Sequence, residues 1–294
     1  MKLKHLMALL FVFWAFALEA KLPEKEMVFI VPSYKNVHWH HANLHSLLSQ
    51  EYDNYRIIYI DDHSPDNTGA VVESYLIDNM IPYQLIEFDE SEDYRESILR
   101  FSEEVNREPH FFTLVINKKR CGALENITRA VHSCQDYEIA VTVDGDDWLH
   151  DPQVLDTLNE AYEGDVWMTH GTLIHYPTRV LGWSEPIPQD IIKRNAFREF
   201  KKCPSHLRTF YAWIYKKIKL EDLRYEGKFF PMTWDMAMMF PIAEMCGERH
   251  AFISRPVYWY NIVNQINDNK VNPQLQNNLD RYIRKMPRYE RLED

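Results

Sequence analysis

The residues best placed to do chemistry are three carboxylates in one short stretch. Asp144, Asp146 and Asp147 end the run IAVTVDGDDWL, from Ile139 to Leu149. The apolar residues before them read as a buried strand of a parallel sheet. Open α/β sheets place ligands beyond the carboxyl ends of such strands. Three acids gathered there repel one another unless a cation or hydrogen-bond donors compensate. Asp144 and Asp146 alternate around Gly145, so a tight turn can aim both at one point. Hard oxygen ligands of this kind suit Mg²⁺ or Mn²⁺, which often bridge to substrate phosphates. The bland alternative is a solvated Asp-rich turn. A calcium-binding or lectin-like module would want a fuller D-x-D-x-D-G series, which is missing.

The elements that must position these acids follow from the pattern around them. MVFIV (27–31), YRIIYI (55–60), Tyr83 to Phe88, Phe111 to Ile116 and the strand at 139–143 read as strands. Helical spacing at 37–50, 70–80 and 123–134 separates them, with Asp66 or Asn67 as a helix cap. Strands alternating with helices predict an α/β fold, a mostly parallel sheet flanked by crossover helices. The acidic stretch 89–108 reads as an exposed helix or an insertion, with Ile98, Leu99, Phe101 and Val105 on one face. Beyond residue 150 the pattern loosens. A helix is expected from Asp151-Pro152 to about Tyr162, a strand-pair region over 165–174, and irregular chain over 176–204. Helices are expected over 209–218 and 234–246, a strand over 250–260, and a polar tail from Asn261 ending in a mixed-charge helix.

Four segments abut predicted strand ends: VPSYKN, IDDHSPDNTG, NKKRCGALENI and VDGDDWL. Acids at strand ends can accept hydrogen bonds from a base or ribose, while backbone amides and a basic group meet a diphosphate. With these four in order, the chain resembles the inverting family 2 glycosyltransferases of the GT-A fold, over roughly residues 26–265. Residues 26–150 would be the nucleotide-sugar half, 151–265 the acceptor half and 266–294 a C-terminal polar tail. His63 stands where the family often has Gly, and Lys118 and Lys119 stand where Gly is common.

The resemblance implies roles position by position. Pro32, Ser33 and Tyr34 would line the nucleotide pocket, Asp62 or Asp61 would bind the base, and Asn117 and Arg120 would sit by base and diphosphate. Asp144 would contact ribose or metal, Asp146 would be the principal ligand of Mn²⁺ or Mg²⁺, and Asp147 would lie behind the metal or touch the sugar. Turn capping is the alternative for Ser33 and Asn117. Asp235, in an otherwise apolar stretch, would be the general base. The physics agrees, because apolar surroundings raise a carboxylate's proton affinity; the alternative is an acid satisfying a helix dipole. Trp234 would stack on a sugar or pack in the core. His206 and Arg208 fall where the family often meets phosphate or metal, and an Arg offers bidentate phosphate contact. His170 and His250 read as core or surface residues.

The reaction so implied is metal-dependent, inverting transfer of a sugar from a nucleotide-diphosphate donor, a UDP-sugar favoured, to a glycan, lipid or protein hydroxyl. A nucleotidyltransferase would need a Gly-rich basic loop near the first strand, which is not there. The net charge of −11 argues against nucleic acid as a partner. Scattered Cys121, Cys134, Cys203 and Cys246 read as free thiols. The Asn126-Ile127-Thr128 sequon falls on a predicted helix, which argues against its use. Residues 1–20, with Lys2 and Lys4 before apolar Leu6 to Leu18, resemble a secretory signal peptide or a membrane anchor. That predicts a secretory or membrane-associated protein, with a cytoplasmic one as the alternative.

Overall fold

The computed structural model describes residues 22–293 except Glu90, Glu92, Pro109 and Cys203. The signal-peptide or anchor reading of 1–20, with its 6–18 apolar run, therefore lies outside the described residues. Among those described, no helix is long and apolar enough to cross a membrane.

The first half alternates as its sequence pattern predicts. β1 (Met27–Ser33), α1 (His40–Leu48), β2 (Tyr55–Asp61), α2 (Thr68–Asp78), β3 (Tyr83–Phe88), α3 (Tyr94–Arg107), β4 (Phe112–Asn117), α4 (Ala123–Ser133) and β5 (Ile139–Thr142) follow in order. The second half adds β6 (Trp148–Leu149), α5 (Val154–Ala161), β7 (Met168–Tyr176), α6 (Gln189–Lys193), β8 (Arg208–Tyr211) and α7 (Ala212–Tyr215). A small hairpin of β9 (Arg224–Tyr225) and β10 (Lys228–Phe229) precedes α8 (Trp234–Cys246), β11 (His250–Asn261), α9 (Asp268–Val271) and α10 (Pro273–Lys285).

The main sheet has nine strands in the order β3-β4-β2-β1-β5-β8-β7-β11-β6. Its first five are parallel; β8 runs antiparallel to β5 and β7, and β6 antiparallel to β11. Strand alternation sends side chains to two cores. Val28, Ile30, Ile58 and Ile60 meet Phe101 of α3, Leu124 of α4 and the apolar length of α8. Met27, Phe29, Val31 and Ile57 meet Leu44 of α1, Val72 of α2 and Leu155 of α5. Both faces are covered, so the central strands read as unbroken apolar runs.

The looser half departs from its expected elements. The helix expected over 209–218 begins as a strand, β8, and only Ala212–Tyr215 is helical. Thr209 and Phe210 suit a pleated surface, and their pairing with β5 and β7 outweighs helical spacing. The expected strand pair over 165–174 is the single strand β7, parallel to β11. Within 89–108 a regular helix forms, but Leu99 faces solvent and Ser97 completes the buried stripe with Ile98, Phe101 and Val105. Beyond residue 265 the chain is not merely polar: Leu279 and Ile283 of α10 are buried against α8.

Asn126 is fully buried on α4, where its Oδ1 accepts from Asn117 and Arg129, so the sequon is closed to a glycan. Cys134 and Cys246 are buried free thiols.

Candidate active site

The D-G-D-D turn is pressed onto the exit of β1. Gly145 N donates to Pro32 O at 3.1 Å. A Cβ on Gly145 would fall 2.5 Å from Ser33 Oγ, so only glycine permits this approach. Asn43 of α1 holds the turn from beneath, its Nδ2 donating to Asp144 O at 3.2 Å and Asp147 O at 2.7 Å. The turn therefore opens on a cleft of about 360 Å³ lined by Pro32, Tyr34, Asp62, Arg120, Asp144, Asp146, Asp147, Arg208 and Asp235.

Three of the expected nucleotide-binding residues stand behind the cleft wall. Ser33 Oγ accepts from Asn36 at 3.0 Å and Tyr59 at 2.8 Å. Asp61 is buried, its Oδ2 accepting from Ser64 N at 3.2 Å, and burial pushes its carboxyl up. Asn117 bridges Asp62 and Asn126 at 3.0 and 2.8 Å. Asp62 does line the cleft, but its oxygens also accept from Cys121 N at 2.9 Å and Gly122 N at 2.8 Å. It thereby fixes the loop that carries Arg120, whose guanidinium lies 3.8 Å from the centre of the Tyr34 ring. His63 has φ +57°, the left-handed geometry that explains a glycine preference there.

The acids are unlike one another. Burial would push Asp144 up, but the hydrogen bond from His206 and the charge of Arg208 hold it below the usual carboxylate range. Its Oδ2 lies 3.1 Å from His206 Nε2 and 3.5 Å from Arg208 Nη2. Asp147 is pushed well up by burial and by the charges of Asp146 and Asp144. Its Oδ1 accepts from Asn261 N at 2.7 Å, while its buried Oδ2 has no hydrogen-bond partner. Asp146 Oδ2 accepts from Asn264 Nδ2 at 2.7 Å.

Ligand atoms of Asp144, Asp147 and His206 lie within 4.8 Å of one another. Two carboxylates, one of them with its orphaned buried oxygen, and an imidazole fit a divalent cation, which would relieve the repulsion that raises Asp147. The grouping draws Asp144 from the expected metal pair; Asp146 lines the same cleft but falls outside the trio.

The second half supplies the opposite wall. Arg208 is buried on β8, and its guanidinium lies 4.9 Å from the centre of the Trp234 ring. It reaches Asp144 on one side and Asp235 on the other, the latter at 3.7 Å. Asp235 sits in the first turn of α8, launched from Thr233 at φ +57°. A β-branched residue in that region is strained, a cost met where it aims a functional turn. The apolar surroundings expected of Asp235 are not found: its side chain is 35% exposed beside Arg208 and faces the polar cleft. The apolar stretch instead marks the buried faces of α8 behind it.

Several residues of the site escaped sequence reading. Asn261 and Asn264 position Asp147 and Asp146 from more than a hundred residues away. Their one signal is the asparagine-rich NIVNQINDN that begins at the last residue of β11, which composition marks only as polar. Tyr258 OH accepts from Asp144 N at 3.0 Å, and Trp183 and Tyr260 line the cleft. An aromatic in a strand or loop reads first as core, so none stood out.

Residues 28–88, spanning β1 to β3, match the family model described as glycosyl transferase family 2. No curated protein matches the chain in sequence. Among solved structures, the 1–349 portion of Staphylococcus aureus TarS is similar, at 15% identity and a TM-score of 0.52 over 80% of this chain. Its complexes with UDP (16% identity, TM-score 0.52, 81% of this chain) and UDP-GlcNAc (15%, 0.51, 80%) are similar too. The matches span 60%, 60% and 58% of the TarS chain in the free, UDP and UDP-GlcNAc structures. The shared architecture is the GT-A fold.

Proposed function

We propose that this chain, a GT-A fold whose first strands match family 2 glycosyltransferases, transfers a sugar from a nucleotide-diphosphate donor to an acceptor hydroxyl with inversion. The observation that carries the reading is Arg208, buried between Asp144 at the strand end and Asp235 across the cleft. One face then receives a diphosphate while the other receives a hydroxyl. UDP-sugars are the favoured donors, in keeping with the UDP and UDP-GlcNAc complexes of TarS.

In this reading Tyr34, Arg120 and Asp62 receive the nucleotide, and Arg208 donates to the diphosphate. Asp235 takes the proton of the acceptor hydroxyl as its oxygen attacks the anomeric carbon. The bond to the diphosphate oxygen breaks on the opposite face, its electron pair leaving with the diphosphate, and the configuration inverts. No covalent intermediate with the protein is required. Mn²⁺ or Mg²⁺ held by Asp144, Asp147 and His206, with Asp146 alongside, would supply Lewis-acid stabilisation of the leaving diphosphate. Trp183, Trp234 and Tyr260 give the acceptor sugar apolar faces to pack on.

The test is a donor screen. Purified protein is incubated with UDP-, GDP- and CDP-sugars and Mn²⁺, and products are read by mass spectrometry. Nucleoside diphosphate released with a sugar transferred or hydrolysed supports the reading. A nucleoside monophosphate transferred to a sugar phosphate would replace it with nucleotidyl transfer. Silence with every donor, together with Ca²⁺ binding, would leave a calcium-binding module.

A further inference from the structure

A second cleft of about 1040 Å³ opens beside the first and shares Arg120, Gly122 and Pro231 with it. Pro231 lies just before Asp235 in the chain, so the shared wall is on the side from which α8 presents its acid. The far wall is the β9–β10 hairpin. Its turn, Glu226-Gly227, has φ of +51° and +80°, the positive values at both central residues that a type I′ hairpin requires. Tyr225 is anchored on Phe230 and on Tyr282 of α10, at 6.0 and 5.0 Å between ring centres, so the hairpin is braced.

The lining is basic and aromatic. Lys119, Arg120, Arg224 and Lys228 face it against Glu125 and Glu226, in a chain whose net charge is −11. Arg224 is laid over Tyr94, 4.2 Å from its ring centre, and its Nη2 donates to Gly227 O. Lys119 and Lys228 are exposed. The space exceeds that of the first cleft, which suits an extended chain better than one sugar. Cations beside rings recognise a ligand with negative charge and sugar faces together.

We propose that this second cleft binds the body of an acidic oligosaccharide acceptor, its growing or decorated residue lying over Pro231 toward Asp235. The proposal rests on the transferase reading for its purpose but not for its test. Negative charge on the acceptor could come from uronate carboxylates or from phosphodiester links, and both would meet Lys119, Arg224 and Lys228 in the same way.

The experiment is calorimetric binding, without donor, of three hexamers: galacturonate, a phosphodiester-linked sugar oligomer, and neutral maltohexaose. Each is titrated into the wild type and into the double variant Lys119→Glu/Lys228→Glu, whose thermal midpoint and UDP affinity are measured alongside. At least one acidic hexamer binds the wild type, more tightly than maltohexaose, and the double variant weakens it by about tenfold or more. UDP affinity is unchanged, since neither lysine lines the first cleft. The acidic hexamer that binds more tightly identifies the source of charge. Equal binding of maltohexaose, acidic binding that survives the double variant, or no acidic binding at all overturns the proposal. Failure of UDP, GDP and CDP alike to bind the wild type would instead overturn the donor reading and leave this one standing.

Discussion

The two halves of the molecule build one cleft by different means. In the first, residues 27–149, the functional groups sit at the ends of parallel strands or in the turns that follow. Their positions are set by register: β1 pairs with β2 and β5, so Ser33, Asp61 and the D-G-D-D turn arrive on one edge together. In the second, strands run both ways and groups are set by single contacts. His206 and Arg208 flank the start of β8, Asp235 follows a strained turn, and Asn261 and Asn264 reach back from the end of β11. Register is a collective property and tolerates a lost contact. A site held by single contacts does not.

That contrast predicts that the largest loss of activity comes from the second half. Asp235→Asn keeps shape but removes the proposed proton acceptor, and should lower kcat by about 10²–10⁴-fold. UDP affinity should stay within about twofold, because the proposed mechanism puts Asp235 on the acceptor's side of the cleft. Initial rates and a UDP titration on the same preparation check both. A variant that turns over normally would remove Asp235 from the chemistry.

The next largest effect is on stability, in the frame behind that wall. Glu244 of α8 and Arg198 form a fully buried pair at 2.6 Å, and Arg198 also donates to Ile283 O on α10. Breaking such a pair strands a buried charge, at about 3–5 kcal/mol. Glu244→Ala should therefore lower the urea midpoint strongly. Leu76→Ala in the first half should cost a similar amount, about 2–5 kcal/mol, through lost apolar burial and the cavity left behind, so an alanine at position 244 does not by itself separate the halves. The telling measurement is Glu244→Gln, which keeps the volume and should still destabilise clearly.

Legibility in the sequence follows the same division. The alternating fold of 27–149 could be read because parallel strands leave unbroken apolar runs and strand ends carry the acids. Asp144 to Asp147 were visible for that reason, and so was the parallel order of the sheet. What a carboxylate does once placed was less visible. Asp61 and Asp62 are adjacent, yet one is buried behind the wall and the other faces the cleft. Strand alternation separates them, and nothing in the pair DD says which is which. In the second half, the strand at 208–211 was hidden because its neighbours in the sheet lie far off in sequence. Asn264 was hidden because a hydrogen bond across 118 residues has no local pattern.

That hidden contact makes a sharper prediction. Asn264→Ala removes the donor to Asp146 Oδ2 without touching the Asp144, Asp147 and His206 group. Groups that orient ligands from behind contribute about 10–100-fold in metal affinity. If Asp146 takes part in holding the cation, Mn²⁺ affinity should fall in that range, and calorimetry with Mn²⁺ reads it directly. Unchanged affinity would restrict the cation to the trio and make Asp146 a contact to ribose or sugar.

The smallest effect concerns pH, and here the two halves should respond alike. His170 on β7 is buried against Phe252 and His250, and burial pushes its imidazole down to about 3. Unfolded, a histidine titrates near 6.5. Between those values the unfolded chain binds a proton that the folded chain refuses, so stability falls as pH drops through 6.5 toward 3. The contribution is fully present above the unfolded value. His132, on α4 in the first half, is likewise pushed down, to about 4, by burial and by Lys216. Both rings bury an Nε2 without a hydrogen-bond partner, so each half carries one such acid-sensitive histidine. His170→Leu and His132→Leu should thus each flatten the urea-midpoint profile between pH 4.5 and 6.5, with little change at pH 8. Parallel profiles for wild type and His170→Leu would mean that the seam between β7 and β11 opens to water before the imidazole titrates, and that the second half unfolds locally ahead of the first.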